Sequence, residues 1–511
     1  FMVVIMLGAG TDYCVFMFSR FAEERSKGAE VNDAVIAAVG NAGKSIASSG
    51  TTAMIGFGSL MLMDNGIFRS IGIGTAVSIL LAMLVALTLV PSVLTVFGDK
   101  LFWPRRIYMS GPGMTQGIWK KVTHRVLKHS KVIFVIALLI TIPAVAIFSQ
   151  LQLGNDMVSM LPSNVQSKVG YDIMNDQFGS GAMDKAMVVV ALPATLKSGD
   201  NYSATAMDRV ENISAMLASI PGVNTVYSIT RPEGDTISYN NLSAYAGTEK
   251  DYYRTYMDNN TGIDGRTTVI EIEFEGSPYS QGAQYAIDDI QSKIKAYQAS
   301  PDGQGTTLLL GGNNVGMYEY QKTATDKYSI VIPVVLIGIF FVLMLLLRSV
   351  FTPARLIITL LMSMMWTLAV FVVVFQFWLQ DSVYWILPII LFCVLMGLGV
   401  DYDIFLVSRI REEVMKGKSD NEAIEAAVES TGTIITLCGC VMAAAFGSMM
   451  LTSMTLMKEF GFVLCLAIIL DATIMRLIVV PAIMVLMKKY NWWMPFVKEE
   501  IPVAPIIMEK K

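Results

Sequence analysis

The sequence predicts a polytopic α-helical membrane protein with an internally repeated membrane part and one extracytoplasmic α+β domain. Three observations predict it: long apolar runs, a one-sided distribution of basic residues, and a long-range repeat. Of 511 residues, 54% are hydrophobic and 16% charged, with a mean hydropathy of +0.54. Soluble domains carry about 25% charged residues. A deficit of that size beside long apolar runs marks a membrane chain rather than a large soluble core.

A spanning helix needs about 20 mostly apolar residues. Nine runs qualify as expected spans: 1–19, 46–63, 71–97, 131–151, 330–347, 356–379, 385–408, 432–454 and 460–487. Basic residues gather on the cytoplasmic side of membrane proteins. Arg20, Arg25 and Lys27 follow the first span, and eight more follow the third, from Lys100, Arg105 and Arg106 to Lys131. Arg348, Arg355, Arg409, Arg411, Lys416, Lys418, Lys488 and Lys489 close later spans. All fall on one side if the spans alternate. The opposite side carries short links around Asp64-Asn65, Gln380-Asp381 and 455–458, and one long polar segment.

That segment, 154–328, reads as strands at 185–191, 224–229, 267–274 and 306–310, with helices at 204–220 and 281–297. The order β-α-β-β-α-β is the ferredoxin-like pattern. An insertion at 231–266 carries Tyr245, Tyr252, Tyr253 and Tyr256. Candidate glycosylation sequons at Asn201, Asn212, Asn241 and Asn259 all lie in this segment, which suits an external location.

Composition also excludes. A net charge of −4 gives no nucleic-acid surface. Cys14, Cys393, Cys438, Cys440 and Cys465 all lie in apolar runs, and only His124 and His129 supply imidazole. No metal set, cofactor motif or catalytic triad is expected.

The chain repeats itself. Gly8-x-Gly10-x-Asp12-Tyr13-x-x-Phe16-x-x-Ser19-Arg20 recurs as Gly397-x-Gly399-x-Asp401-Tyr402-x-x-Phe405-x-x-Ser408-Arg409. Glu23-Glu24 recurs as Glu412-Glu413, Lys27-Gly28 as Lys416-Gly417, and Phe57-Gly58-Ser59 as Phe446-Gly447-Ser448. Leu89-Val90-Pro91 matches Val479-Val480-Pro481 only after a one-residue slip. An aspartate at the centre of a spanning helix costs about 2.5–3.5 kcal/mol. Asp12 lies about 12 Å of helix before Arg20, at roughly 1.5 Å per residue, too deep for its short side chain to snorkel. Two such residues in matching places read as functional.

Adjacent residues on a helix point about 100° apart, so Asp12 and Tyr13 do not face each other. Two repeat helices side by side would pair Asp12 with Tyr402 and Asp401 with Tyr13. A phenol donates to a carboxylate and accepts from its protonated form, which suits proton loading and release. Gly8, Gly10, Gly397 and Gly399 are expected to let those helices approach closely, with ordinary membrane glycine the competing reading. Asp403 lies about 200° round from Asp401 and faces another neighbour or a wet cavity. Asp471 and Arg476 share the last span, and a structural ion pair is the preferred reading for them. Ser48, Ser49, Thr51 and Thr52 are candidates to line the same path or to act as helix–helix glue.

The doubled G-x-G-x-D-Y, F-x-x-S-R and acidic-pair pattern resembles the MMPL-type branch of the resistance-nodulation-division transporters. The resemblance implies two six-helix repeats, each with a ferredoxin-like porter domain, and proton-relaying Asp-Tyr pairs on the fourth and tenth helices. By that template 1–98 holds the last three helices of a first repeat and 99–130 a basic cytoplasmic connection. Residues 131–153 form the first helix of the second repeat, 154–328 its porter domain, and 329–490 its remaining five helices. Residues 491–511 form a cytoplasmic tail. The template's first three helices and first porter domain are missing, so that N-terminal half is an expected partner. The other partners are protons, membrane lipids and a lipid or hydrophobic cargo, with a second copy of the chain as a candidate. The function implied is proton-driven export of lipids or other amphiphiles. The alternatives are a SecDF-like protein-translocation accessory, against which Tyr13 and Tyr402 speak, and a lipid- or sterol-binding receptor without pumping. An enzyme is not expected.

Overall fold

Helix ends in the computed structural model fall in matching places in the two copies of the repeat. The structure describes residues 2–63, 66–103, 114–154, 158, 160–179, 181–199, 201–245, 247–380 and 383–494. The links at Asp64-Asn65 and Asp381, the basic residues Arg105 and Arg106, and the tail from 495 onward lie outside them. In chain order the helices begin with α1 (Met2–Ser26), α2 (Val31–Gly58), α3 (Gly66–Phe97), α4 (Met114–Lys128) and α5 (Ser130–Phe148). Next come α6 (Gln166–Phe178), α7 (Ala204–Ala218), α8 (Gly247–Asn259) and α9 (Gln281–Ala299). The last six are α10 (Asn313–Leu347), α11 (Phe351–Phe371), α12 (Leu387–Met415), α13 (Asp420–Gly447), α14 (Thr455–Ile469) and α15 (Val480–Met487).

α1 and α12 correspond, as do α2 and α13, each second helix running into a short 3₁₀ turn, Ser59–Leu62 or Ser448–Leu451. Both α1 and α12 stop the same way. Gly28 (φ +92°) and Gly417 (φ +88°) take the left-handed conformation just past the helix end. The flanking amides close back, Ala29 onto Glu24 O and Lys418 onto Glu413 O, each at 3.3 Å. This is the glycine-terminated helix stop that other residues adopt only under strain.

The third helices differ. α3 is one continuous helix, but between α14 and α15 the chain winds as a π-helix over Leu470–Val479. A π-turn absorbs one extra residue without breaking the helix. That is the physical form of the one-residue slip in the repeat.

The chain divides into two compact units, Gln152–Thr323 and the helices on either side of it. In the helical unit, eight helical segments among the described residues are long and apolar enough to cross a membrane. Of the nine expected spans, only 46–63 is not among them. It falls in α2, whose Asn41, Lys44, Ser45, Ser48, Ser49, Thr51 and Thr52 lower its hydropathy. Packing accounts for Ser48, Ser49 and Thr52, which are buried where α2 lies against α1, α3 and α12 and faces protein in place of lipid. The connection before α5 also holds a helix that hydropathy does not reveal. α4 packs along α13, where a Cβ on Gly432 would sit 3.1 Å from the Trp119 ring.

The other unit has the expected β-α-β-β-α-β order. Its antiparallel sheet runs Val223–Tyr227, Thr267–Phe274, Ala186–Ala191, Thr307–Gly311. Burial alternates along Thr267–Phe274, so one face packs Val188, Val190, Ile270 and Ile272 onto Val210, Ile213, Ile287 and Ile290 of α7 and α9. Two helices go beyond the sequence expectation, α6 and α8, the latter inside the insertion, where Tyr245 and Tyr253 meet edge to face at 4.9 Å.

Arg231 anchors that insertion through Glu211 of α7, with Nη2 2.5 Å and Nε 3.0 Å from Oε1. Burial alone would raise the Glu211 carboxyl, but the bonds from Arg231, Thr230 and Thr236 outweigh it and hold it below its usual value. A carboxyl lowered by folding stabilises above its unfolded value, and that contribution disappears as pH falls through the folded value. Glu211→Gln is therefore expected to weaken α7 protection in hydrogen exchange by about 1–3 kcal/mol near neutrality. The difference should vanish in acid.

Candidate functional site

The two Asp-Tyr pairs meet in the middle of the helical unit. Asp12, Tyr13, Asp401 and Tyr402 are all buried, none more than 3% exposed. Tyr402 Oη donates to Asp12 Oδ2 at 2.6 Å, linking α12 to α1. The second expected pairing is made differently. Ser49 of α2 donates to Tyr13 Oη at 3.2 Å and lies beside the Asp401 carboxyl. Tyr13 thus bonds the Ser49 hydroxyl and makes no direct bond to Asp401.

The repeat register explains the flanking residues. Ser49 on α2 corresponds to Cys438 on α13, and Cys438 lies beside the Asp12 carboxyl. Each half of the site is therefore an aspartate, the other copy's tyrosine, and a small polar residue from a second repeat helix. Ala53 likewise corresponds to Met442, whose sulfur lies 3.5 Å from Tyr402 Oη. Sequence reasoning missed Cys438 by reading it only as an apolar-run cysteine. Carrying the repeat alignment through Ser49 would have found it.

The glycines act elsewhere than expected. α1 and α12 do not pack backbone to backbone; the main neighbours of α1 are α2, α3 and α13, and those of α12 are α2, α11 and α13. Side chains fill the space between them, including Phe16 stacked on Phe405 with ring centroids 4.5 Å apart. The close approach is between α12 and α2. A Cβ on Gly56 would sit 3.3 Å from the Gly397 backbone, and one on Gly397 3.4 Å from Ala53 Cα. Gly8 faces Met442 in the matching place, at 3.2 Å. Gly399 lies against Leu360 and Asp471, whereas a Cβ on Gly10 would meet only Ala82 at an ordinary 3.9 Å.

Toward the basic ends of α1 and α12, four charges cross in the same manner. Arg409 pairs with Glu23 at 2.9 Å and Arg20 with Glu412 at 3.4 Å. Each arginine also holds the glutamate three residues on in its own helix. A polar cavity of roughly 60 Å³, lined by Ser19, Asn41, Ser45, Ser408, Ser430 and Thr431, opens beside these charges and reaches Phe405. It has room for a few waters.

On the far side of Tyr402 lies a second buried charge cluster. Arg476 Nη2 is 2.6 Å from Asp471 Oδ2, and Nη1 is 3.1 Å from Asp403 Oδ2. Nη2 also donates to the carbonyl of Gly399. Arg355 of α11 is buried nearby, within electrostatic reach of Asp403 and Arg476. The four candidate sequon asparagines are exposed on the other unit. Among the described residues no group of His, Cys, Asp and Glu could hold a metal ion.

The MMPL family model matches residues 1–133 and 159–503. The chain is 25% identical to the mycolic acid-containing lipids exporter MmpL11 of Mycolicibacterium smegmatis, covering 96% of this chain and 48% of that protein. It is 26% identical to the heme uptake protein MmpL11 of Mycobacterium tuberculosis, again over 96% of this chain and 48% of the other. With the apo-petrobactin exporter of Bacillus anthracis it shares 23% identity over 96% of this chain and 63% of the relative. The chain thus spans about half to two-thirds of the length of these relatives.

Proposed function

Because the chain belongs to the MMPL family of multi-pass membrane transport proteins, we propose that it works in proton-driven export of lipids or other amphiphiles. Protons pass through the crossed Asp-Tyr centre, and the unit 154–328, on the extracytoplasmic side, handles the cargo. The observation that carries this reading is the 2.6 Å bond from Tyr402 to Asp12. It makes one site out of two repeats at a depth where a carboxylate is costly.

The chemistry is proton transfer only. Asp12 and Asp401 each offer a carboxyl with one oxygen lacking a hydrogen-bond partner, a place for a proton to arrive. The tyrosine hydroxyls accept from a protonated carboxyl and donate to an ionised one, following the charge without moving far. The cavity beside Arg20 and Arg409, on the cytoplasmic side by the basic-residue pattern, supplies an aqueous exit. Each proton crossing supplies about 2.3 kcal/mol per 100 mV. The names of two relatives describe export, one of mycolic acid-containing lipids and one of apo-petrobactin. The lipid exporter's name supports an amphiphilic cargo and an outward direction, whereas the heme uptake protein is named for movement inward.

The test is reconstitution in vesicles with a labelled lipid and an imposed proton gradient. Lipid export should stop on adding a protonophore and be absent in Asp401→Asn. Export that survives both treatments contradicts the reading.

A further inference from the structure

The two halves of the Asp-Tyr centre are unequal, and the inequality follows the sequence. The Asp12–Tyr402 half has its direct bond, while in the other half Tyr13 is bonded to Ser49 and not to Asp401. Among the described residues, the buried Asp403, Asp471 and Arg476 belong to the second copy and have no charged counterpart in the first. In register, Asp403 corresponds to Cys14, Asp471 to Ala82 and Gly399 to Gly10. The first copy therefore has an apolar Gly10–Ala82 contact where the second has Gly399 against Asp471 and Arg476.

Arg476 is wholly buried, and its guanidinium is held on three sides. Asp471 takes Nε and Nη2, at 3.0 and 2.6 Å. Asp403 takes Nη1, and the Gly399 carbonyl takes Nη2 as well. Its remaining face is turned to Tyr402, with the guanidinium carbon 5.5 Å from the ring centroid. The π-helical winding of Leu470–Val479 places Asp471 and Arg476 at the spacing of its own turn. A Cβ at 399 would crowd the Leu360 side chain at 2.8 Å while meeting Nη2 at an ordinary 3.9 Å. We propose that Arg476, clamped by Asp471 and Asp403, is a positioning residue that holds Tyr402 and the Gly399–Asp401 backbone so that Tyr402 stays bonded to Asp12.

This rests on the proton-relay reading, and the two are separable by infrared difference spectroscopy of the whole chain in lipid nanodiscs, stepped in pH. Carboxyl bands are assigned with Asp12→Asn and Asp401→Asn. The charged and titratable groups facing the pair are Tyr13, Tyr402, Cys438, Arg476, Asp403, Asp471 and Arg355, so assignment by substitution is necessary. The proposal expects a lowered, hydrogen-bonded band for Asp12 and a higher one for Asp401.

Arg476→Lys keeps the buried charge but loses the planar fork. It should move the Asp12 band up to the Asp401 position and leave the Asp401 band in place. Arg476→Gln should do the same, and Arg476→Lys serves where that variant does not fold. If Arg476→Lys leaves the Asp12 band where it was, Arg476 balances charge only and the proposal is overturned. If neither carboxyl band responds to pH in the unsubstituted protein, the proton-relay reading itself fails, and this proposal with it.

Discussion

Asp12→Asn is expected to reduce proton flux through the reconstituted protein by about a hundredfold or more, the range a positioned proton-transfer group contributes. Asparagine keeps the shape and can still accept from Tyr402, but it cannot take up a proton. Tyr402→Phe removes only the 2.6 Å bond and leaves the carboxyl. A hydrogen bond to a charged group contributes about 1.5–3 kcal/mol, so Tyr402→Phe should slow flux by roughly tenfold to a hundredfold at about 1.4 kcal/mol per tenfold. The order Asp12→Asn worse than Tyr402→Phe separates the carrier from the group that orients it. It is read directly from acidification inside vesicles under an imposed gradient.

The largest expected effect on stability comes from the second cluster. Asp471→Leu leaves Arg476 with Asp403 alone, beside the already buried Arg355, and so strands a positive charge in the interior. Removing one member of a buried ion pair costs about 3–5 kcal/mol. Asp471→Leu combined with Arg476→Met leaves Asp403 facing Arg355, a balanced pair, and should recover most of that loss. Unfolding midpoints in detergent for both singles and the double check this. The double variant should be more stable than Asp471→Leu while still lacking the clamp on Tyr402.

Much of this site is legible in the amino-acid sequence because the repeat is strong. A motif found twice, with aspartates too deep to reach water, predicts a pairing between copies, and Tyr402 does bond Asp12. The ferredoxin-like order is legible because its strands alternate and its helices are amphipathic over ordinary soluble lengths. What escapes sequence reasoning depends on packing between distant elements. Nothing local to Cys438 marks it as a neighbour of Asp12; only its register with Ser49 does. The glycine pattern points to an α1–α12 contact, but Asp, Tyr and Phe side chains fill that gap, and the close approach falls between Gly397 and Gly56. The span at 46–63 is less apolar than its neighbours because Ser48, Ser49 and Thr52 on it are buried against other helices. The one-residue slip is visible in the sequence, but its meaning, a π-turn carrying Asp471 and Arg476, lies in the backbone.

The central claim is that the two Asp-Tyr pairs form one site. Proton flux measured for Asp12→Asn, Asp401→Asn and the double variant, in the same vesicles, tests it most directly. Residues that act as a unit are strongly non-additive. A single crossed site predicts that the double variant is no slower than the worse of the two singles. Losses that multiply in the double variant would mean two independent paths and contradict the account.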